Sequence, residues 1–239
     1  MDNVLVLVKK ELKHYFASFV AYVVLFVFLF VGGYYYYIYI YEVRDAARVM
    51  PYFLNFMGFL SFLLTPFITM RLFSEEKKTG TIELLLTAPV TETEIVLGKF
   101  FGALVLYLIY VSFTLYYLLI LIIFGRPDFG PIVSGYLGFI LLESAYISVG
   151  VLISLTTKNQ IVSGILTLIA LLFFWIVGWV GSYFNRPVQD IFQYLSFLKH
   201  YEDFPKGIID TKHIVFYISV IWLNLFLSVR LLESRRTIS

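Results

Sequence analysis

The chain has 239 residues, 60% of them hydrophobic and 14% charged, with a net charge of +2 and no cysteine. Soluble domains are about 45–50% apolar and about 25% charged, so a water-soluble fold of this size is excluded. The small net charge argues against a nucleic-acid partner, and the missing cysteines exclude disulfides, thiolate metal sites and cysteine nucleophiles.

The N-terminus places Lys9 and Lys10 after a short apolar run, the reverse of a signal peptide. Between about Asn3 and Ser18, Val4, Leu5, Val8, Leu12, Tyr15, Phe16 and Phe19 recur near helical spacing, with Lys9, Lys10, Lys13 and His14 opposite. That pattern predicts an amphipathic helix lying in a membrane interface, lysines toward anionic headgroups.

A membrane span needs about 20 mostly apolar residues to cross about 30 Å of hydrocarbon. Six stretches qualify: about Phe19 to Tyr41, Tyr52 to Phe73, Gly98 to Phe124, Ile132 to Thr156, Ile161 to Phe184 and Ile214 to Leu232. Each must be helical, because an open strand would leave backbone groups unpaired in lipid. Pro51 suits the first turn of the second span. With the N-terminus inside, eleven Lys and Arg fall on the inner side and seven on the outer, including Arg44. The bias predicts that both termini are cytoplasmic. Tyr34, Tyr35, Tyr36, Tyr37, Tyr39 and Tyr41 crowd the end of the first span, as in an outer aromatic belt, with substrate stacking as the other reading.

The inner loop, about residues 74–97, parses into elements. Charges from Arg71 to Lys78 end the second span, Gly80 is suited to a left-handed closing position, and Thr81 can cap a new short helix with Glu83 in its first turn. Ile82, Leu84, Leu85 and Leu86 make that helix apolar, and Pro89 ends it. Thr91-x-x-Glu94 is a capping box for the next helix. An apolar helix held outside the membrane must be buried, either on the chain's own interfacial helix or on a partner.

No nucleotide site is visible. A phosphate-binding loop around Gly98-Lys99 would need glycine at 93 and Ser or Thr at 100, where Thr93 and Phe100 stand. HExxH and GxSxG are absent. The three histidines, His14, His200 and His213, suggest no metal cluster.

Glu76, Gly80, Thr81, Glu83, Leu85, Leu86 and Pro89 fit the pattern E-x-x-x-G-T-x-E-x-L-L-x-x-P. In this the chain resembles the ABC-2 family of transporter permeases. Ile95 to Lys99 and Ser154 to Val162 also resemble it, and Gly207 to His213 is similar to the gliding-motility and nitrous-oxide-reductase-maturation permeases.

The resemblance implies a single all-α membrane domain over residues 1–239. It would have six spans, an N-terminal interfacial helix (1–18), a coupling-helix loop (74–97) and short extracytoplasmic helices (185–213), one near Asp190 to Leu198. It implies a multi-pass protein of a prokaryotic cytoplasmic membrane, acting as an exporter permease. Glu76, Gly80, Thr81, Glu83, Leu84, Leu85, Leu86 and Pro89 would couple it to a separate ATPase subunit. A second permease copy or paralogue completes the assembly. This chain would bind no cofactor, with ATP and Mg on the partner.

Within the spans, Glu143 costs at least about 2.5 kcal/mol at bilayer depth and should face protein or water. It reads as a pathway group or as a protonated link between helices. Asn55, Thr65 and Asn224 suit interhelical hydrogen bonds, Gly98-x-x-x-Gly102 allows a close helix approach, and Pro66 suits a kink. Competing functions are force transmission to a periplasmic machine without transport, a channel or secondary transporter, and an intramembrane enzyme. No internal repeat supports a secondary transporter, and Glu143 alone is poor support for an enzyme.

Overall fold

The computed structural model describes residues 2–43 and 45–236; Arg44 and the side chains of Leu86, Arg235 and Arg236 lie outside the described residues. The order is α1 (Asp2–Phe16), α2 (Phe19–Val43), α3 (Ala46–Thr69), α4 (Ser74–Thr79), α5 (Thr81–Thr87), α6 (Glu92–Phe124), α7 (Phe129–Ser154), α8 (Gln160–Gly181), α9 (Val188–Leu195), α10 (Phe197–Tyr201), a 3-10 turn (Phe204–Lys206) and α11 (Thr211–Arg236). Among the described residues there is no strand, and six helices, α2, α3, α6, α7, α8 and α11, are long and apolar enough to cross a membrane. The chain is a multi-pass membrane protein.

The second span starts earlier than its apolar run suggests. Asp45 caps it, its side chain accepting from the Ala47 N–H at 3.1 Å and pairing with Arg48 at 3.2 Å. Pro51 therefore lies inside α3, beyond its first turn.

α3 and α7 form the centre, and α7 also touches α6, α8 and α11. Small residues make this possible, since helices in lipid associate by close packing without a hydrophobic drive. A Cβ on Gly150 of α7 would stand 2.2 Å from the Thr69 hydroxyl of α3, so the two backbones meet where no side chain fits. The outward faces are apolar: Phe26 and Phe30 on α2, Ile165 and Ile169 on α8, and Leu223 and Leu227 on α11 are exposed.

At one end, the segment after α8 folds into a cap. The single helix expected near residues 190–198 is two, broken at Ser196, whose hydroxyl accepts from the Lys199 N–H to start α10. Tyr201 and Phe204 insert into notches made by Gly58 and Gly138, where added Cβ atoms would come within 2.8 and 2.3 Å of them. The Tyr201 hydroxyl donates to the Leu54 carbonyl at 2.8 Å. The tyrosine run is split. Tyr34, Tyr37 and Tyr41 point outward, while Tyr36 is buried and donates to the Tyr117 carbonyl at 2.6 Å. Tyr35 stacks on Phe56 with ring centres 3.5 Å apart.

At the other end, α1 lies along the first turns of α6. Gly98 and Gly102 are its seat: Cβ atoms there would meet Leu7 Cβ at 2.5 Å and Glu11 Cβ at 2.7 Å. The buried stripe is thus Leu7, Glu11 and Tyr15, flanked by half-buried Val4, Val8 and Leu12. Leu5, Phe16 and Phe19, expected on the apolar face of an interfacial helix, are exposed. The glycine pair, not the richest apolar arc, selects the face that packs.

Candidate coupling site

The α4–α5 hairpin is built by local rules. α4 has Glu75 and Glu76 in its first turn and Lys77 and Lys78 in its last, the arrangement the helix dipole favours. Gly80 takes φ 75°, a left-handed position where glycine avoids the cost a side chain would bring. It is also the N-cap of α5. Thr81 is therefore the first helical residue, not the cap, and its hydroxyl turns back to that of Thr79 at 2.9 Å. α5 ends at Thr87, and Ala88 is extended, as a residue before proline prefers. The Thr91 side chain accepts from the Glu94 N–H at 3.2 Å and Glu94 accepts from the Thr91 N–H at 2.9 Å, opening α6.

Ile82 and Leu85 are half-buried against the core, whereas Leu84 is 73% exposed and Glu83 is exposed. Leu86 lies on α5, with its side chain outside the described residues. α5 thus projects an apolar side chain from the bundle, directly after a hinge-like glycine.

The base of the hairpin is anchored by charge. Lys99 of α6, 2% exposed, pairs with Glu11 of α1 at 2.9 Å and Glu76 of α4 at 3.0 Å. Its ammonium also stands 4.9 Å from the centre of the Phe73 ring, a cation–π distance. Lys10 adds a longer contact to Glu76 at 3.4 Å, and the second Glu76 oxygen is buried without a hydrogen bond. Arg71 binds Glu75 at 2.9 Å and reaches the Ser18 hydroxyl, and His14 approaches Glu75 at 3.4 Å. Burial pushes the Glu75 carboxyl up, but Arg71 and His14 outweigh it and hold it below the usual carboxylate range. Buried Lys77 donates to the Leu155 carbonyl at the end of α7. The Lys99, Glu11, Glu76, Arg71, Glu75 and His14 side chains line a cavity of about 360 Å³ between α1, α4 and α6.

A second polar cluster sits inside the bundle. Glu143 of α7 is fully buried, and its Oε1 lies 2.6 Å from the Thr65 hydroxyl of α3. The same hydroxyl lies 2.7 Å from the Ser61 carbonyl. The single Thr65 proton thus faces two acceptors, the Ser61 carbonyl of its own helix and the Glu143 carboxyl of α7. The Ser61 and Tyr107 side chains stand beside the same carboxyl. Asn224 of α11 reaches the Ser148 hydroxyl of α7 at 3.4 Å. Asn55, expected to bridge helices, instead donates to the Pro51 carbonyl of its own helix at 3.1 Å.

At the cap end, His200 and His213 come together with their Nδ1 atoms 2.7 Å apart. His200 Nε2 faces the Tyr194 carbonyl at 2.8 Å and His213 Nε2 faces Asp203 at 3.1 Å. Burial holds His200 below the usual imidazole range, more than the Tyr194 carbonyl raises it. Among the described residues no group of three or more His, Cys, Asp or Glu is placed to hold a metal ion.

Sequence reasoning named Glu76 and the α5 residues but missed Lys99 and Glu11, whose pairing joins positions 88 residues apart. The available signal was Lys99 itself, a charge one residue inside an apolar run.

A comparison with curated proteins finds no match. The family described as ABC-2 family transporter protein matches residues 44–227, from just before α3 to beyond the middle of α11, and includes the whole hairpin. The chain therefore belongs to the ABC-2 family of transporter membrane proteins, as a membrane component of that transport machinery.

Proposed function

We propose that this chain is the permease subunit of an ATP-binding-cassette exporter, driven by a separate ATPase that docks on α5. The exposed Leu84, projected by an apolar helix between Gly80 and Pro89, carries this reading. An unpartnered apolar helix outside the lipid is stabilised by a partner that covers it. Glu83 would face that partner's cleft, with Ile82, Leu85 and Leu86 on the same helix and Glu76 at its base. Motion of α5 would pass through Gly80 to α4. The Lys99 node would then deliver it to α1 and α6, and the Lys77 anchor to α7.

In this reading residues 1–239 are one ABC-2 domain in a prokaryotic cytoplasmic membrane, with both termini, α1 and the α4–α5 hairpin on the cytoplasmic side. α1 lies in the interface, and a second copy or paralogue completes the permease. ATP and Mg are held by the partner ATPase. The second reading, force transmission to a periplasmic machine, rests on the resemblance of Gly207 to His213 to the gliding-motility and nitrous-oxide-reductase-maturation permeases. The close seating of Tyr201 and Phe204 over α3 and α7 favours it, since it ties the outer cap rigidly to the central helices.

The test is co-expression with each candidate ATPase of the source genome, followed by co-purification and reconstitution. The control is Gly80→Pro with Glu83→Lys. Binding of one ATPase by the wild type, lost or uncoupled in the control, supports docking. Failure of the folded wild type to bind any ATPase overturns it. Substrate movement by the reconstituted complex separates export from force transmission.

A further inference from the structure

A groove of about 350 Å³ runs down the outside of the bundle between α6 and α11, at the end that carries α4 and α5. Leu97 and Leu225 stand on its two sides and Trp222 lines its deep end. One wall is flat: Trp222 and Phe226 stack at 5.3 Å and 11°, and the Arg230 guanidinium lies 5.1 Å from the centre of the Phe226 ring. These three residues follow at helical spacing of four, so an aromatic ladder ends in a cation.

Eight helical residues separate Trp222 from Arg230, a rise of about 12 Å. Half of a hydrocarbon core of about 30 Å is about 15 Å. The groove is therefore one leaflet deep, with apolar walls below and Arg230, Glu233 and Thr93 at its mouth.

The mouth presents both signs of charge. Arg230 donates to Glu233 at 2.9 Å, and both side chains remain largely exposed, at 64% and 41%. One guanidinium nitrogen is engaged, and the rest of its fork faces outward. This pattern complements a zwitterion. A phosphate accepts from the Arg230 fork, and a primary ammonium donates to Glu233 and to the Thr93 hydroxyl. A purely anionic headgroup would be repelled by Glu233, and a quaternary ammonium has no hydrogen to give.

We infer that the α6–α11 groove is a binding site for a phospholipid of the phosphatidylethanolamine class, one acyl chain along Phe226 and Trp222 and the headgroup across Arg230 and Glu233. This site is independent of the docking proposed for α5.

The experiment is native mass spectrometry of the full chain, delipidated and then offered equimolar phosphatidylethanolamine, phosphatidylglycerol and phosphatidylcholine with identical acyl chains. The wild type should retain phosphatidylethanolamine about tenfold over phosphatidylcholine. Glu233→Gln should abolish that preference, and Arg230→Gln should lower retention of all three. Leu225→Trp should fill the groove and lower retention without a fall in thermal stability. Equal retention of the three lipids, preferred retention of phosphatidylglycerol, or an unchanged preference in Glu233→Gln would overturn the assignment. A Val229→Cys disulfide between two copies in lipid would also overturn it, because a second chain would then occupy the groove.

Discussion

Lys99 of α6 holds Glu76 of α4 at 3.0 Å with the same ammonium that holds Glu11 of α1 at 2.9 Å. One nearly inaccessible cation thus joins three helices from separate parts of the chain. Lys99→Met leaves buried Glu11 without its cation and Glu76 with only the longer Lys10 contact, and should cost about 3–5 kcal/mol. Adding Glu11→Gln and Glu76→Gln should restore much of the loss. Unfolding in detergent measures both, and a triple variant no more stable than the single one would refute ionic anchoring.

The seat of α1 makes a steric prediction. Gly98→Ala places a methyl against Leu7 Cβ, 2.5 Å away, and overpacking of this kind costs about 1–3 kcal/mol. Leu7→Ala in the same chain should return part of that stability. Limited trypsin digestion at exposed Lys9 and Lys13 should accelerate in the single variant and slow again in the double.

The paired histidines give the cap a pH dependence with a definite sign. Burial depresses His200 in the folded chain, and the nearby His213 and Lys212 add to this. Its contribution is complete above the unfolded imidazole value of about 6.5 and is lost as pH falls below it toward the lower folded value. Protonation of His200 would place a new charge beside Lys212, at the ring whose Nδ1 lies 2.7 Å from that of His213. Melting temperature in detergent should decline as pH falls below about 6.5, and more shallowly in His200→Gln. An identical profile in that variant would place the dependence elsewhere. Asp203, raised by burial but lowered more by Lys206 and His213, loses its contribution only at more acid pH.

The Thr65 hydroxyl donates to the fully buried Glu143 Oε1 at 2.6 Å, between α3 and α7. Glutamine keeps an acceptor at that place and carries no charge, so Glu143→Gln should change stability by less than about 1 kcal/mol. Glu143→Lys buries an unpaired charge and should prevent folding or expression. If Glu143→Gln unfolds the protein as thoroughly as Glu143→Lys, the site requires the carboxyl itself and not merely an uncharged acceptor of the same shape.

What was legible in the chain was local. Span length and apolarity marked all six membrane helices, Gly80 marked the left-handed break, and Thr91 with Glu94 marked the start of α6. Each depends on residues within a few positions of one another. Which face of α1 packs was not legible, because apolar periodicity gathers Leu5 and Phe16 and does not show that Gly98 and Gly102 admit Leu7 and Glu11. The His200–His213 contact depends on the break at Ser196 and the turns after α10, which bring the two Nδ1 atoms together with the rings edge to face. The tyrosine run looked uniform because composition does not show that α2 turns Tyr35 and Tyr36 toward α3 and α6.

The central claim is that α5 is the contact through which an ATPase drives this protein. The chain contains no cysteine, so Leu84→Cys introduces a single reactive position at the most exposed apolar side chain among the described residues of that helix. In lipid vesicles with the co-purifying ATPase, oxidation should link Leu84→Cys to single cysteines in the ATPase cleft. The link should stop stimulated ATP hydrolysis, and reduction should restore it. Linkage that leaves hydrolysis and its coupling unchanged, or no linkage while the complex remains intact and active, would contradict the account.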